Sequence, residues 1–407
     1  MHGPGSLSDP RSAGPRSGDG ASPDNSMNTP ADRLVEPSSL TWRRAVGFGL
    51  IAYLFSRLAV AVGAGVRSAQ LVADTNKLGA PLPDAPQPDS AVRMVTEMLT
   101  TWDGLWYLAV ARDGYPRQIP TSVTFFMEEA RTAFFPLYPL LIRIGDWLLP
   151  GGDTLAALLI NLVLGAVFVV LVGLITRRLY GTQAAAHAML LVSVFPGSFV
   201  MSFAYADTVM VVLAAATLLA LMDQRWVVAG LLAALVTASR PNGVAIVFAV
   251  TLAAAIAIQR DRKWSALWAV GLSPLGFLAF HFFLARHTGE RFAWFRVQNE
   301  AWDEGLSFGW TAISHMIATV REPLASPTHV VTTITVLAMI AALMAARQVR
   351  LPAPMLAYVG VILLLMLIPE TITARPRFLF TAFPLVIPVA VWLPRRSPMM
   401  WQLLMVG

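Results

Sequence analysis

The stretch "TLAALLINLVLGAVFVVLVGLITRR", residues 154–178, decides the fold. From Thr154 to Thr176 it carries no charge, and its polar side chains are limited to two threonines and Asn161. A bilayer's hydrocarbon core takes roughly 20 helical residues, and a chain in lipid must satisfy its backbone hydrogen bonds internally. The run therefore reads as a transmembrane helix. It stops on Arg177 and Arg178, which the positive-inside bias keeps in the cytoplasm.

Similar apolar runs extend in both directions. Arg43 and Arg44 precede a run over about 45–65, which places the preceding chain inside and residues 66–153 outside as a first external loop. Further runs cover about 183–200, 203–222, 226–240, 242–258, 264–284, 328–346, 352–368 and 377–393. In that arrangement Arg225, the Arg260–Lys263 cluster, Arg347 with Arg350, and Arg395 with Arg396 all fall on the cytoplasmic side, and 285–327 forms a second external loop. The expected fold is an all-α polytopic membrane protein with about ten transmembrane helices. One membrane domain spans 41–396, followed by a cytoplasmic end over 397–407. Residues 1–40, rich in Gly, Pro, Ser and Asp, read as a disordered cytoplasmic tail without the apolar core of a signal peptide.

Composition agrees. Of 407 residues 56% are hydrophobic and only 13% charged, against about 25% charged in soluble domains. The net charge of +6 is explained by orientation among membrane lipids, so no nucleic-acid partner is expected. The absence of cysteine excludes disulfides, thiolate zinc sites and thiol nucleophiles, and the six histidines show no metal-ligand spacing. Many arginines with almost no lysine suggest a GC-rich bacterium, hence an integral protein of a bacterial cytoplasmic (inner) membrane.

The first external loop holds two ambiguous segments. Residues 134–150, "FFPLYPLLIRIGDWLLP", are apolar but short and contain Arg143 and Asp146. A span there would invert every later basic cluster, so an interfacial helix anchored by Trp147 and Arg143 is expected. Residues 92–113 read as a second interfacial helix. Within it Trp102, Leu105, Trp106 and Ala109 form a helical stripe, with Asp103 one step off it.

The same topology collects polar residues on the outer side: Asp103, Arg112 and Asp113; Tyr205 and Asp207 at the corner after Pro196; Arg240 in "SRPNG"; and Glu370, Arg375 and Arg377 in "PETITARPRF". Ionisable groups at membrane depth are expensive and functional by default. Each also has a plainer explanation. Asp103 could cap its helix, Arg240 could anchor at the interface, Arg375 and Arg377 could touch lipid headgroups, and Asp207 could be a buried partner for an arginine. Outer-face arginines nevertheless oppose the positive-inside trend and call for an anion, for which the guanidinium fork suits phosphate. The pairs Glu128–Glu129 and Asp303–Glu304 read as solvated loop charges, although a divalent cation there stays open. No cofactor is required.

These residues fall into a familiar order. Trp102–Asp103, then Gly114–Tyr115, "AFFPLYP" with Pro136 and Pro139, Pro196 before Tyr205 and Asp207, Arg240 with Asn242–Gly243, and finally Arg377–Phe378 resemble the pattern of the PIG-V mannosyltransferases and their bacterial relatives, within the GT-C superfamily. The resemblance covers about 100–385. It departs at Asp207, where the pattern has Glu, and at Pro241, where eukaryotic members more often have a small polar residue. It implies a polyprenyl-phosphate-mannose donor used on the outer face, with a glycolipid or lipoglycan as acceptor. Trp102, Tyr115, Tyr138, Tyr205 and Asn242 then become substrate-binding candidates.

On this reading Asp103 is the general base of an inverting mannosyl transfer, with Asp207 and Asp113 as rivals, and Arg240, Arg375 and Arg377 bind the donor phosphate. The competing functions are a transporter or flippase of a lipid-linked sugar, and a GT-C enzyme using another polyprenyl-phosphate sugar. A transporter would place its polar groups at the bilayer midplane within repeated halves, and no repeat is visible.

Overall fold

The computed structural model describes residues 40–78, 90–370 and 374–406, and among these every regular element is helical. The tail expected over 1–40 lies outside the described residues except for Leu40. The helices are α1 (Trp42–Leu78), α2 (Ala91–Leu99), α3 (Asp103–Asp113), α4 (Leu137–Leu148), α5 (Gly152–Val194), α6 (Asp207–Met222), α7 (Trp226–Thr237), α8 (Ala245–Asp261), α9 (Leu267–Leu272), α10 (Leu275–Thr288), α11 (Ala293–Trp302), α12 (Trp310–Arg321), α13 (Pro327–Gln348), α14 (Ala353–Leu367), α15 (Pro376–Thr381), α16 (Val386–Arg396) and α17 (Pro398–Val406). Five segments are long and apolar enough to cross a membrane: 42–74, 152–194, 241–261, 264–288 and 327–348. Each apolar run read from the sequence falls on one of these or on a shorter apolar helix except the last, 377–393, which is split among α15, a 3-10 turn over Phe383–Leu385 and α16. The chain is an integral membrane protein.

The deciding stretch forms the first arm of α5. Two spans were expected over 154–176 and 183–200, and the structure joins them by a hairpin of minimal length. Gly181 alone leaves helical geometry, at φ 84° and ψ 178°, a region that costs glycine little. The arms fold back so closely that a Cβ on Gly173 would lie 2.5 Å from the Met189 sulfur. α1 lies against α5, and Gly49 in α1 meets the same methionine.

Basic clusters expected to share a membrane side do share one end of the bundle. Arg178 ion-pairs with Asp223 at 2.6 Å, Lys263 reaches Gln224, and the Tyr180 hydroxyl donates to the Arg350 carbonyl.

The first external loop differs from expectation in one respect. Residues 92–113 form two helices, α2 and α3, broken at Thr100–Trp102. Trp102 takes φ 61°, ψ −117°, and such backbone costs a non-glycine residue of order 1–3 kcal/mol. The break makes Asp103 the first residue of α3. Of the apolar stripe Trp102 and Leu105 are exposed, whereas Trp106 packs on Phe125 and Phe134, and Tyr107, Leu108 and Ala111 face inward. α4 covers the expected interfacial segment and exposes Leu140, Ile144, Trp147 and Leu148. Arg143 ties α4 to α3 by donating to the Arg112 carbonyl at 3.2 Å.

A buried arginine fixes the corner after α5. Arg57 in α1 donates to the Ser198 carbonyl at 2.5 Å, to Ser198 Oγ at 2.9 Å and to Ser202 Oγ at 3.1 Å. Through these bonds α1 holds the short 3-10 turn Pro196–Met201. On its other side that turn touches the start of α15, where a Cβ on Gly197 would fall 2.1 Å from the Pro376 carbonyl oxygen.

Candidate active site

Four helix ends converge on one cluster of charge. Two acids open helices: Asp103 is the first residue of α3 and Asp207 the first of α6. A negative charge is favoured there by the unpaired N–H groups and the helix dipole. The arginines stand at breaks made by proline. Arg240 precedes Pro241 and is extended at φ −157°, ψ 156°; Arg375 precedes Pro376 and is extended at φ −128°, ψ 153°. Proline's ring drives the preceding residue out of the helical region, so the sequence "RP" at 240–241 and 375–376 turns the chain where guanidinium groups are needed. Asn161, the polar interruption in the deciding stretch, donates to the Phe203 and Tyr205 carbonyls at 2.6 and 2.8 Å and so fixes the approach to Asp207.

The side chains form a ladder. Arg377 Nη2 donates to Asp103 Oδ2 at 2.6 Å. Arg240 Nη1 lies 3.7 Å from that same oxygen and donates to Asp207 Oδ2 at 2.6 Å. The Arg377 guanidinium also lies over the Tyr205 ring, 5.0 Å from its centroid. Asp207 is fully buried, and its Oδ1 has no protein partner among the described residues. The Asp103 side chain keeps 23% exposure. Burial alone would raise the Asp103 carboxyl, but the charges of Arg377 and then Arg240 overcome it and hold the group below the ordinary aspartate value of 3.8.

Two cavities meet at this ladder. The first, about 430 Å³, is lined by Asp103, Arg240, Asn242, Gln298, Trp302 and Arg377, with Ile362, Leu365 and Met366 of α14 along one wall. The second, about 680 Å³, is lined by Asp103, Trp102, Tyr205, Arg375, Arg377 and Arg67, with Leu71, Met98, Phe199 and Phe203 as its apolar part. Asp103, Trp302, Arg377 and Phe378 belong to both. A carboxylate at the junction of two chambers, with arginines on either hand, can accept a proton from a group in one while an anion sits in the other.

The structure thus brings Asp103, Asp207, Arg240, Arg377, Tyr205 and Asn242 together, with Trp102 and Arg375 on the wall of the second cavity. Three candidates lie elsewhere. Tyr138 is fully buried and its hydroxyl donates to the Ala157 carbonyl at 3.0 Å. Tyr115 donates to the Phe134 carbonyl at 2.6 Å and packs on Phe280 and Phe283. Neither lines either cavity. Asp113 closes α3 at the far end from Asp103, mostly exposed and 4.0 Å from Arg131. Arg240 is buried in an ion pair and so is not a lipid anchor. Glu128 is solvent-facing beside Arg131, whereas Glu304 lines the first cavity. Sequence reasoning missed Trp302, Gln298 and Arg67. The first two lie on α11 in the polar-aromatic loop 285–304, where a helix pinned by the Trp294 indole N–H to the Ala133 carbonyl at 2.9 Å had no local signal. Among the described residues no group of three or more His, Asp or Glu is arranged around a common point.

Comparison with known proteins bears on the fold and on one segment of the sequence. Residues 133–285, less than half of the chain, match the family model of dolichyl-phosphate-mannose-protein mannosyltransferases. The crystal structure of ArnT from Cupriavidus metallidurans bound to undecaprenyl phosphate aligns with a TM-score of 0.50 at 14% identity, covering 74% of this chain and 56% of that one. The apo structure of the same protein gives 0.49 at 15% identity with the same coverage. No curated protein matches the sequence. This chain thus spans little more than half the length of the solved protein. The fold is that of ArnT, and residues 133–285 within it are similar to a mannosyltransferase family model.

Proposed function

We propose that this protein is an inverting α-mannosyltransferase that moves mannose from polyprenyl-phosphate-mannose to a glycolipid or lipoglycan on the outer face of a bacterial cytoplasmic membrane. The observation that carries the reading is Asp103 at the junction of the two cavities, flanked by Arg377 and Arg240. The donor phosphate lies against Arg240 and Arg377 in the first cavity, with its prenyl tail along Ile362, Leu365 and Met366. The acceptor enters the second, whose wall includes Arg375 and Tyr205. Asp103 takes the proton of the acceptor hydroxyl as that oxygen attacks the anomeric carbon. The carbon–oxygen bond to phosphate breaks with its electron pair, and the arginines stabilise the growing charge. A single displacement on a β-linked donor gives the α product.

Mannose is supported by the order of motifs shared with the PIG-V pattern and by the matched mannosyltransferase model. A polyprenyl phosphate is supported by the undecaprenyl phosphate bound to ArnT, which has the same fold.

The test is transfer of labelled mannose from polyprenyl-phosphomannose in membranes carrying equal amounts of wild type or Asp103→Asn. The wild type transfers above empty membranes, and the variant falls by about 10²–10⁴-fold, the typical worth of a positioned base. Equal transfer by both would remove Asp103 from the chemistry. No transfer by a folded wild type would overturn the donor.

A further inference from the structure

The four charges of the ladder balance without any ligand, which raises the question of how a carboxylate already engaged by Arg377 can act as a base. The members are not equally held. The Arg240–Asp207 pair is buried and belongs to the first cavity on its arginine side only, since Asp207 lines neither. Asp103 and Arg377 are exposed to both cavities. Arg377 keeps a fixed seat when its carboxylate is removed, because its guanidinium rests over Tyr205 and Phe378, each 5.0 Å from the ring centroid. Its Nε has no protein partner among the described residues. Arg240 is likewise fixed by Asp207, with Nη1 already 3.7 Å from the Asp103 oxygen.

We infer that Asp103 is a placeholder for the donor's phosphate: an incoming phosphate oxygen takes its position on Arg377, and this exchange releases Asp103 as a base only when donor is bound. The inference rests on the function proposed above and explains how that site is switched on. Charge supports it. Two arginines balance Asp103 and Asp207 in the empty site, so a phosphodiester, with one negative charge, leaves the complex one charge negative. Uptake of the acceptor's proton by Asp103 removes that excess from the carboxylate. As the glycosidic bond forms, the electron pair of the broken bond makes the departing monophosphate doubly negative. The total of the two groups is minus two before the step (phosphodiester and carboxylate) and minus two after it (phosphate dianion and carboxylic acid). A carboxylate fixed to Arg377 throughout would be a poor base. One displaced from it regains basicity beside the reacting hydroxyl, where base catalysis is most effective.

The experiment measures binding of polyprenyl phosphate without sugar to the full chain in nanodiscs, for wild type, Asp103→Asn, Arg377→Gln and the double variant. If Asp103 competes with phosphate for Arg377, Asp103→Asn binds the lipid about tenfold more tightly than wild type, and the gain vanishes in the Arg377→Gln background. A gain that persists without Arg377 would reflect general charge repulsion and would overturn the exchange, as would equal or weaker binding by Asp103→Asn. Wild type failing to bind polyprenyl phosphate at all would sink the donor reading together with the exchange, so the two failures are distinguishable. Should Asp103→Asn be unstable when empty, thermal unfolding with and without the lipid decides: the lipid restores the wild-type midpoint if phosphate fills the carboxylate's place, and fails to restore it otherwise.

Discussion

Asp103 and Arg377 lie 274 positions apart in the chain, and their pairing sets the acid behaviour of the site. Arg377 and Arg240 overcome the effect of burial and hold the Asp103 carboxyl below 3.8. A carboxylate depressed in this way stays ionised above that value. Its contribution to stability is present above the unfolded pKa and is lost as pH falls through the folded one. With Asp103 as the proposed base, the acid limb of kcat/KM, which reports the free enzyme, is expected below 3.8. The acid limb of kcat reports the bound state, and the proposed exchange of phosphate for the carboxylate on Arg377 predicts that it lies at higher pH. Parallel pH–rate profiles check both, and coincident limbs would contradict the exchange. The sequence made Asp103 legible because it stands one step off an apolar stripe, and Arg240 and Arg377 legible because they oppose the positive-inside trend. It could not reveal that they touch, since nothing local encodes a contact over that separation. That Tyr115 and Tyr138 lie outside both cavities was hidden for a related reason: an aromatic near a motif reads alike whether its hydroxyl faces a cavity or a backbone carbonyl.

At the scale of elements, proline and glycine give the site its shape. Arg–Pro at 240–241 and at 375–376 ends regular helix and leaves each arginine extended, and these breaks were visible in the sequence. The break at Trp102 was not, because residues 100–102 contain neither proline nor glycine. What holds the second Arg–Pro corner in place is the turn at 196–201, clamped by Arg57 on one side and pressed against Pro376 through Gly197 on the other. A methyl at Gly197 would sit 2.1 Å from a backbone oxygen, which cannot move without carrying Arg377 along. Gly197→Ala is therefore expected to weaken polyprenyl phosphate binding by about tenfold while losing about 1–3 kcal/mol of stability to overpacking. Lipid binding and thermal unfolding of the same preparation measure the two effects. Unchanged binding in a destabilised variant would mean that the turn supports the bundle but not the arginine.

The described helical bundle has two unlike ends. Arg178 with Asp223, Lys263 with Gln224, and Tyr180 with Arg350 gather the basic clusters at one. The ladder and its cavities are formed where helices break between those clusters. Long apolar runs made the membrane fold legible at once, because burial in lipid demands helix whatever the tertiary contacts. Their pairing into a hairpin at Gly181, and the joining of α11 to the site, depend on packing that no run displays. The outward orientation proposed for the site follows from the basic clusters alone, and the chain offers a direct way to test it. It contains no cysteine, so any introduced thiol is unique. Ala325, exposed just before α13, and Gln348, exposed at that helix's other end, bracket a 22-residue span. In intact cells an impermeant maleimide should label Ala325→Cys at once and Gln348→Cys only after permeabilisation, each variant retaining transfer because neither residue lines either of the two cavities at the ladder. The reverse pattern would turn the site to the cytoplasm, where a donor delivered on the outer leaflet could not reach Arg240 and Arg377.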